Sequence, residues 1–393
     1  MNKRTGILAF LILLTEVISH AGDSIPSGIF YKPEWKIGAE ISPSWVPPTN
    51  IYLKGTNPAN QSIDRSLSWS LRADFTLNPE TNQGKRYKEL YQGIGIGMHT
   101  FFEKELMGMP WSVFVYQGAP IVHFNSRTWL SYEWEFGTTF WSKYYNKENS
   151  PENIAISTPV TAIMAAGFKF NYLVSSRVLL SAGIKASHFS NGNTSLPNTG
   201  VNTLGGSLGV AYLINPVNHS SDEIEVENDT RRWVFDLTAY GAWRKRVVYI
   251  GSPESPEICP GKFGVVGMSF SPLYLINNWV GVGPGLDVQW DESAGLRPYW
   301  IEGTYDNNIK FHRPPFVKQL SAGISGHVEL TTPIFCVNVG IGYDFINPKG
   351  NKRLYQSLTL KTFVSKNIYL NVGYRLGNFQ DPQNLMLGVG LRW

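Results

Sequence analysis

The sequence predicts an all-β protein whose antiparallel strands close into a transmembrane barrel of the bacterial outer-membrane type. The chain is rich in aromatic residues, at 13%, and in glycine, with 38 of its 393 residues. Charged residues make up only 16%, below the roughly 25% of a soluble domain. Apolar and polar residues alternate with a period of two, which is typical of strands that separate lipid from a polar lumen.

The first residues have the pattern of a secretory signal. Lys3 and Arg4 form a charged region, residues 6–14 an apolar region, and residues 19–21 a cleavage site of small residues. The apolar region is too short to span a bilayer as a helix, and no later stretch reaches the roughly 18 apolar residues that such a helix needs. We therefore expect residues 1–21 to be a signal peptide and residues 22–393 to form a single outer-membrane barrel.

Strand patterns recur along the mature chain, and residues 66–77 give the clearest one. Leu67 and Trp69 begin an apolar face, while Arg72 and Asp74 lie on the opposite, polar face. Residues 130–140 repeat this alternation with Glu133 and Glu135 on their polar side. Charges on an inner face suit a polar lumen. The alternation also leaves open a soluble sandwich, in which the polar face would lie outside.

The connections between these strands alternate in length, which is typical of outer-membrane barrels. Short links are expected near residues 174–176, 276–278, 331–333 and 365–367, and long polar links near residues 46–65, 142–156, 189–201, 245–261 and 291–315. A literal count gives about sixteen strands, and twelve or fourteen are also compatible with the pattern. An acidic insert at residues 218–230 falls where a short turn is expected.

The chain ends in an apolar strand face that includes Leu385, Leu387, Val389 and Leu391 and closes on Trp393. This pattern is similar to the C-terminal strand signal of bacterial outer-membrane proteins, although an ordinary final strand would give it too. We therefore expect the protein to reside in the outer membrane.

The composition argues against nucleic-acid binding, and the cysteine spacing argues against a zinc site. The net charge of +4, without a basic cluster, argues against a nucleic-acid partner. The two cysteines, Cys259 and Cys336, fit no zinc spacing and are expected either to be free or to pair with each other.

Three polar side chains are predicted to share one face beside a long loop. On residues 178–190 the odd positions include Lys185, which belongs in a wet lumen, so the even positions His188 and Ser190 should face lipid. On the next strand Asn202 shares its face with Leu204 and other apolar residues. Polar groups at headgroup depth on the outside of a barrel are costly unless they contact something there, and a lipid is the expected contact.

These residue types suit the hydrolysis of an ester. His188 can take the proton of the Ser190 hydroxyl, and Asn202 can orient the imidazole, which is triad logic with an amide in place of the acid. Asn191 and Gly192 are expected to stabilise the oxyanion. No metal and no cofactor is required. The alternative interpretation is a polar rim that only anchors a porin or structural barrel.

At these residues the chain resembles the outer-membrane lipid A 3-O-deacylases, often called acyloxyacyl hydrolase-like proteins. The resemblance rests on residues 188–194, His-Phe-Ser-Asn-Gly-Asn-Thr, and residues 196–202, Leu-Pro-Asn-Thr-Gly-Val-Asn. It implies an esterase that removes an acyl chain from the lipid A of lipopolysaccharide in the outer leaflet, with His188 as base and Ser190 as nucleophile. The best-known members have Glu at the third position, where this chain has Asn202.

Outer-membrane phospholipase A is the second family that the motif resembles. It shares His-x-Ser-Asn-Gly and an Asn twelve residues after its serine, which matches Asn202. That family is calcium-dependent, whereas residues 191–201 contain no Asp or Glu to ligate a hard cation. This difference argues against the phospholipase. Separately, the Pro-Asn-x-Gly-Val stretch favours the deacylase.

The sequence leaves open whether the barrel forms a homodimer. The remaining candidate residues have interpretations simpler than a catalytic or metal-binding role. Four histidines without companions at metal-ligand spacing are expected in the girdle, the loops or the lumen: His99, His123, His312 and His327. Glu133 and Glu135 are expected to be solvated or paired in the lumen. The girdle itself is expected to include Trp129, Trp134, Trp141, Tyr144 and Tyr145.

Overall fold

The computed structural model describes residues 32–216, 232–250, 255–277, 279–299, 310–348 and 351–393. The predicted signal peptide and the acidic insert at residues 218–230 lie outside the described residues. The chain divides into two compact units, with the boundary between residues 226 and 227. Each unit contains a closed antiparallel barrel of eight strands.

The first barrel consists of eight consecutive strands, β1 (Glu34–Trp45), β2 (Arg65–Thr76), β3 (Tyr91–Thr100), β4 (Trp111–Asn125), β5 (Thr128–Phe140), β6 (Val160–Ser175), β7 (Val178–Ser190) and β8 (Val201–Leu213). It closes where β1 pairs with β8, with Lys36 opposite Leu213 and Trp45 opposite Leu204. Two short helices, α1 (Asn82–Arg86) and α2 (Lys104–Met107), lie in its connections.

The second unit continues the chain with β9 (Trp233–Arg244), β10 (Val247–Ile250), β11 (Ser255–Ile258), β12 (Phe263–Leu275), β13 (Val280–Asp291), β14 (Arg297–Tyr299), β15 (Lys310–His312), a 3₁₀ turn (Phe316–Gln319), β16 (Leu320–Thr331), β17 (Phe335–Ile346), β18 (Leu354–Phe363), β19 (Ile368–Gly377) and β20 (Asp381–Arg392). Strands β10–β11 and β14–β15 form separate hairpins. The other eight strands form the barrel, which closes where β9 pairs with β20 and Asp236 lies opposite Arg392.

The all-β antiparallel class is confirmed, but the prediction of a single barrel is wrong. In the part of the chain that the structure describes, the barrel strands number sixteen, as the literal count gave, yet they close as two groups of eight. Alternation of side chains fixes which face of a strand is apolar, but it does not specify which distant strand completes the hydrogen-bonded ring. The acidic insert, which did not fit a short turn, lies between the last strand of one barrel and the first strand of the next.

Both barrels are polar inside and apolar outside, as the alternation predicts. On β2, Ser66, Ser70 and Asp74 are buried, whereas Trp69 and Leu71 are exposed. On β5, Ser131, Glu133, Glu135 and Thr139 are all buried. This arrangement excludes the inverted, soluble sandwich, since the charged side chains lie in the interior. Among the described residues, no helix is long and apolar enough to cross a membrane.

The first barrel has its longer connections at one end, here called its loop end, formed by residues 46–64, 101–110, 141–159 and 191–200. The opposite end has short turns at residues 126–127 and 176–177, but also the long connection 77–90 that carries α1. The candidate residues therefore lie at the loop end, where the sequence placed them.

Candidate active site

Strands β7 and β8 carry the predicted trio on the outer face of the first barrel. His188 and Ser190 alternate with Phe189, which is only 1% exposed and points into the apolar interior beneath the loops. Asn202 lies directly opposite His188 in the strand register. Further along the same outer face, Ile184 and Leu204 are 62% and 51% exposed. The trio therefore borders an apolar surface, at the rim where both strands meet the loop.

His188 and Asn202 are joined by a hydrogen bond of 2.7 Å between Nδ1 and Oδ1. Because the amide oxygen can only accept, Nδ1 carries the hydrogen and donates it to Asn202. In the neutral imidazole Nε2 is then the acceptor, the form that a general base requires. The amide oxygen of Asn202 thus lies beside the imidazole where the usual triad has a carboxylate oxygen.

Ser190 is held by donors from the loop that follows it. Its Oγ accepts hydrogen bonds from the backbone N–H of Gly192 at 3.2 Å and from Nδ2 of Asn198 at 2.9 Å. Among the described residues, no hydrogen bond joins His188 to Ser190. The structure therefore brings His188 together with Asn202, and Ser190 together with the loop, while the predicted His–Ser contact is not formed here. Catalytic hydrogen bonds are often completed only when substrate is bound.

The two residues predicted to stabilise the oxyanion, Asn191 and Gly192, make different contacts in the structure. Gly192, with a φ of 63°, aims its N–H at Ser190. The side chain of Asn191 is instead buried, and its Nδ2 donates to Ser157 Oγ at 2.9 Å and to the Ser195 carbonyl at 3.1 Å. The side-chain donor at the serine is Asn198, which sequence reasoning did not assign to the site. Its position in the Pro-Asn-x-Gly-Val stretch, eight residues after Ser190, was the available signal.

An apolar cluster at the loop end supports these strands from inside the barrel. Phe189 packs edge-on against Phe101 and Trp141, at ring-centroid distances of 6.3 and 5.7 Å. Tyr52, in the connection from β1 to β2, donates its hydroxyl to the Leu106 carbonyl at 3.0 Å. Burial, together with the nearby charge of Glu152, raises the pKa of Tyr52 to about 12, so its hydroxyl keeps its proton.

The interior of the first barrel is filled by a charged network. Arg72 bonds to Glu40 at 2.8 Å and to Glu133 at 2.6 Å. Lys185 bonds to Glu40 and to Glu135, both at 2.9 Å. Lys169 completes the network through Glu40 and Glu133. Glu133 and Glu135 are thus paired in the lumen, and the network fills the passage that a channel would need.

The second barrel holds a serine, a histidine and an asparagine in its interior. The Oγ of Ser325 lies 2.8 Å from Nε2 of His327, whose Nδ1 lies 2.9 Å from Oδ1 of Asn338. Ser325 donates to Asp287 at 2.6 Å, and Tyr355 donates to the same carboxylate at 2.5 Å. The adjoining cavity has a volume of about 20 Å³, enough for one or two water molecules. These side chains form a structural network that a lipid cannot enter.

The other histidines lie in several settings. His99 is enclosed in the first barrel between Ser68 and Ser112, at 2.8 and 2.9 Å. His123 pairs with Glu89 at 2.8 Å on the surface. His312 is exposed at the end of β15. Within the described ranges, no group of three or more His, Cys, Asp or Glu side chains is arranged to hold a metal ion.

Cys259 and Cys336 are both buried and free. Cys259 follows β11 in the long connection between β9 and β12, and burial raises the pKa of its thiol. Cys336 lies near the start of β17, next to the short turn 332–334. Of the two alternatives for the cysteines, the structure therefore has the unpaired one.

Comparison with known proteins finds a family match in the second barrel. Residues 233–393 match the family model described as "Acyloxyacyl hydrolase, C-terminal domain", and these bounds coincide with the start of β9 and the end of the chain. No curated protein matches the sequence significantly.

Several solved structures of outer-membrane proteins are similar to this chain, at low sequence identity and low TM-score. Neisserial surface protein A is 10% identical, with a TM-score of 0.30, over 45% of this chain and 96% of its own. The siderophore receptor PirA from Acinetobacter baumannii is 8% identical, with a TM-score of 0.24, over 87% of this chain and 68% of its own. Similarity at this level carries no functional conclusion.

The family match confirms the resemblance that the motif in the first barrel indicated, and it does so through a different part of the chain. The matched segment contains no His-x-Ser sequence, so motif and family match are independent observations. Residues 233–393, the C-terminal barrel, are therefore similar to the C-terminal domain of the acyloxyacyl hydrolases.

Proposed function

We propose that this protein is an outer-membrane serine esterase that hydrolyses an ester-linked acyl chain of lipid A, with Ser190 in the first barrel as its nucleophile. The observation that carries the proposal is the arrangement on the outer wall, where Nδ1 of His188 is bonded to Asn202 and Ser190 lies two residues away, beside loop donors. An enzyme that faces lipid needs its nucleophile on this face, because the ester bonds of lipid A lie near the boundary between headgroup and acyl chains.

The reaction would proceed in two steps. Ser190 Oγ attacks the ester carbonyl while His188 Nε2 takes its proton, and the same imidazole returns the proton to the departing alcohol. Water then attacks the acyl-serine with the same base, which releases the fatty acid and restores Ser190. The N–H of Gly192 and Nδ2 of Asn198, both now bonded to Ser190 Oγ, are the donors available for the negative oxygen of each tetrahedral intermediate.

A porin function is less well supported. The lumen of the first barrel is filled by Arg72, Lys169, Lys185 and their carboxylate partners, and eight-stranded barrels have interiors just wide enough for side chains. Both observations favour a function on the outer wall over transport through the lumen.

Outer-membrane phospholipase activity is the second candidate, because the third member of the site is an amide. The 2.7 Å bond between His188 and Asn202 is the observation that favours it. The two candidates differ in substrate, and in the calcium that the phospholipase family requires.

Mass spectrometry of lipid A from cells that express the wild type or Ser190→Ala tests the proposal. We expect the wild type to remove one acyl chain and Ser190→Ala to leave lipid A intact. The matched control is Ser187→Ala, a serine of the same strand with the opposite facing, which should behave as wild type.

Unchanged lipid A in cells that contain folded wild-type protein would contradict the deacylase. Purified protein would then be assayed on phospholipid vesicles with calcium and with a chelator, and hydrolysis that depends on both calcium and Ser190 would establish the phospholipase instead.

A further inference from the structure

Gly200, the last residue of the loop before β8, lies against the imidazole of His188. Its φ of 72° lies in the left-handed region that side chains rarely adopt. A Cβ at this position would lie 2.9 Å from Cε1 of His188, 3.6 Å from its Nε2 and 3.0 Å from the Phe189 carbonyl oxygen. The absence of a side chain therefore creates the space that the ring occupies.

Backbone hydrogen bonds to the connection between β5 and β6 hold Gly200 in this place. The N–H of Gly200 donates to the Ala155 carbonyl, and the N–H of Thr199 donates to the Ile154 carbonyl, both at 3.1 Å. The Thr199 hydroxyl oxygen also accepts from Asn50 Nδ2 at 2.8 Å. Ala155 is fully buried. The loop backbone is thus fixed on its far side and cannot easily move away from the ring.

On its other side, the imidazole is held by Asn202. The 2.7 Å bond from Nδ1 to Oδ1 fixes one edge of the ring, while Gly200 lies next to Cε1, between the two nitrogens. A shift of the ring away from Gly200 would change the length or angle of the bond to Asn202.

We propose that Gly200 is a positioning residue of the esterase site: as a glycine on a fixed backbone, it holds the His188 ring against Asn202 and leaves Nε2 unobstructed. This inference rests on the proposed function. Gly200 acts through His188 and is not itself a catalytic residue.

A side chain at Gly200 would displace the ring or obstruct its Nε2. The ring is the end of a side chain and can move, so the barrel should still form while the site is disturbed. A misplacement of about 1 Å in a catalytic group lowers the rate by about 100-fold. The effect should appear in kcat, because Gly200 lies behind the base and not on the apolar surface where an acyl chain would bind.

The test compares kcat and KM of Gly200→Ala, Gly200→Asn and Gly206→Ala on a micellar ester substrate, with folding checked by the heat-dependent gel mobility of the barrel. Asparagine tolerates the left-handed region, so Gly200→Asn relieves backbone strain but keeps the added Cβ. Gly206 is the matched control on the outer face of β8, where a Cβ would meet only the Gly183 carbonyl oxygen at 3.8 Å.

We expect both Gly200 variants to lose about 10- to 100-fold in kcat with KM unchanged, and Gly206→Ala to equal the wild type. If Gly200→Asn recovers wild-type kcat, backbone strain and not the ring contact is responsible, and the inference fails. It also fails if both Gly200 variants equal the wild type. Should Gly200→Ala not fold, the comparison of Gly200→Asn with the wild type decides.

A second readout separates this inference from the proposed function. In protein with ¹⁵N-labelled histidine, the proton on Nδ1 of His188 should give an NMR signal that shifts or disappears in both Gly200 variants and persists in Gly206→Ala. An unchanged signal would overturn the inference. If the wild type shows no Ser190-dependent hydrolysis, the proposed function fails, while the NMR comparison still decides the position of the ring.

Discussion

Each barrel places a histidine beside an asparagine on a neighbouring strand, but on opposite faces of its wall. In the first barrel His188 bonds to Asn202 at 2.7 Å on the outer face. In the second barrel His327 and Asn338 are 2.9 Å apart in the interior and only 8% and 3% exposed. Because side chains alternate along a strand, a shift of one residue decides which face a group occupies.

The two serines differ in the same way. Ser325 is enclosed between His327 and Asp287, with both contacts under 3 Å, and its hydroxyl already donates to a carboxylate. Ser190 is half-buried beside an apolar outer surface, and its oxygen accepts from a loop amide. Both barrels therefore contain a serine, a histidine and an asparagine close together, but among the described residues those of the first barrel lie on the outer face. Access and facing, more than residue type, distinguish a candidate site from a structural network.

The largest expected effect is the loss of deacylation when His188 is removed, and His327 in the second barrel provides the comparison. His188→Ala should lower deacylation by about 1,000-fold or more, because Ser190 loses its base. His327→Ala should stay within about twofold of the wild type, since His327 lies in the lumen of the other barrel. Initial rates of fatty-acid release from purified, folded variants measure both. A large loss in folded His327→Ala would mean that the second barrel takes part in the reaction.

A smaller effect on kcat is expected when a loop donor is removed. This prediction tests the oxyanion role of Asn198, which the sequence did not assign. Asn198→Ala should lower kcat by about 100-fold, as the loss of one oxyanion donor does in other hydrolases, with KM nearly unchanged. Asn191→Ala is the matched comparison, because its amide bonds to Ser157 and Ser195 instead of to the nucleophile. Steady-state kinetics of the two variants decide, and a larger loss of kcat in Asn191→Ala than in Asn198→Ala would reverse the assignment.

Much of the fold could be predicted from the sequence, because alternation is a local property. The charges at Arg72, Glu133 and Glu135 marked the inner faces of β2 and β5, and all three form ion pairs inside the barrel. Closure into two rings could not be predicted in this way. It depends on pairing between strands as distant as β1 and β8, and sixteen alternating strands satisfy one ring or two equally well.

The same distinction applies to the site. His188, Ser190 and Asn202 could be placed on one face because Lys185 fixed the facing of β7. The roles of Asn191, Asn198 and Gly200 depend on how the loop folds back, and the loop has positive φ at Gly192, Asn193 and Gly200. The Gly and Asn residues indicate that such a loop can adopt several turn types, but they do not specify which amide will face the serine.

The most direct test of the account is to find the residue that reacts with a lipid-like phosphonate ester, a reagent that modifies activated serines irreversibly. Folded protein would be treated in detergent micelles, digested and mapped by mass spectrometry. The account predicts modification at Ser190, abolished in His188→Ala and retained in His327→Ala. Modification at Ser325, or hydrolytic activity that persists with Ser190 unmodified, would contradict it.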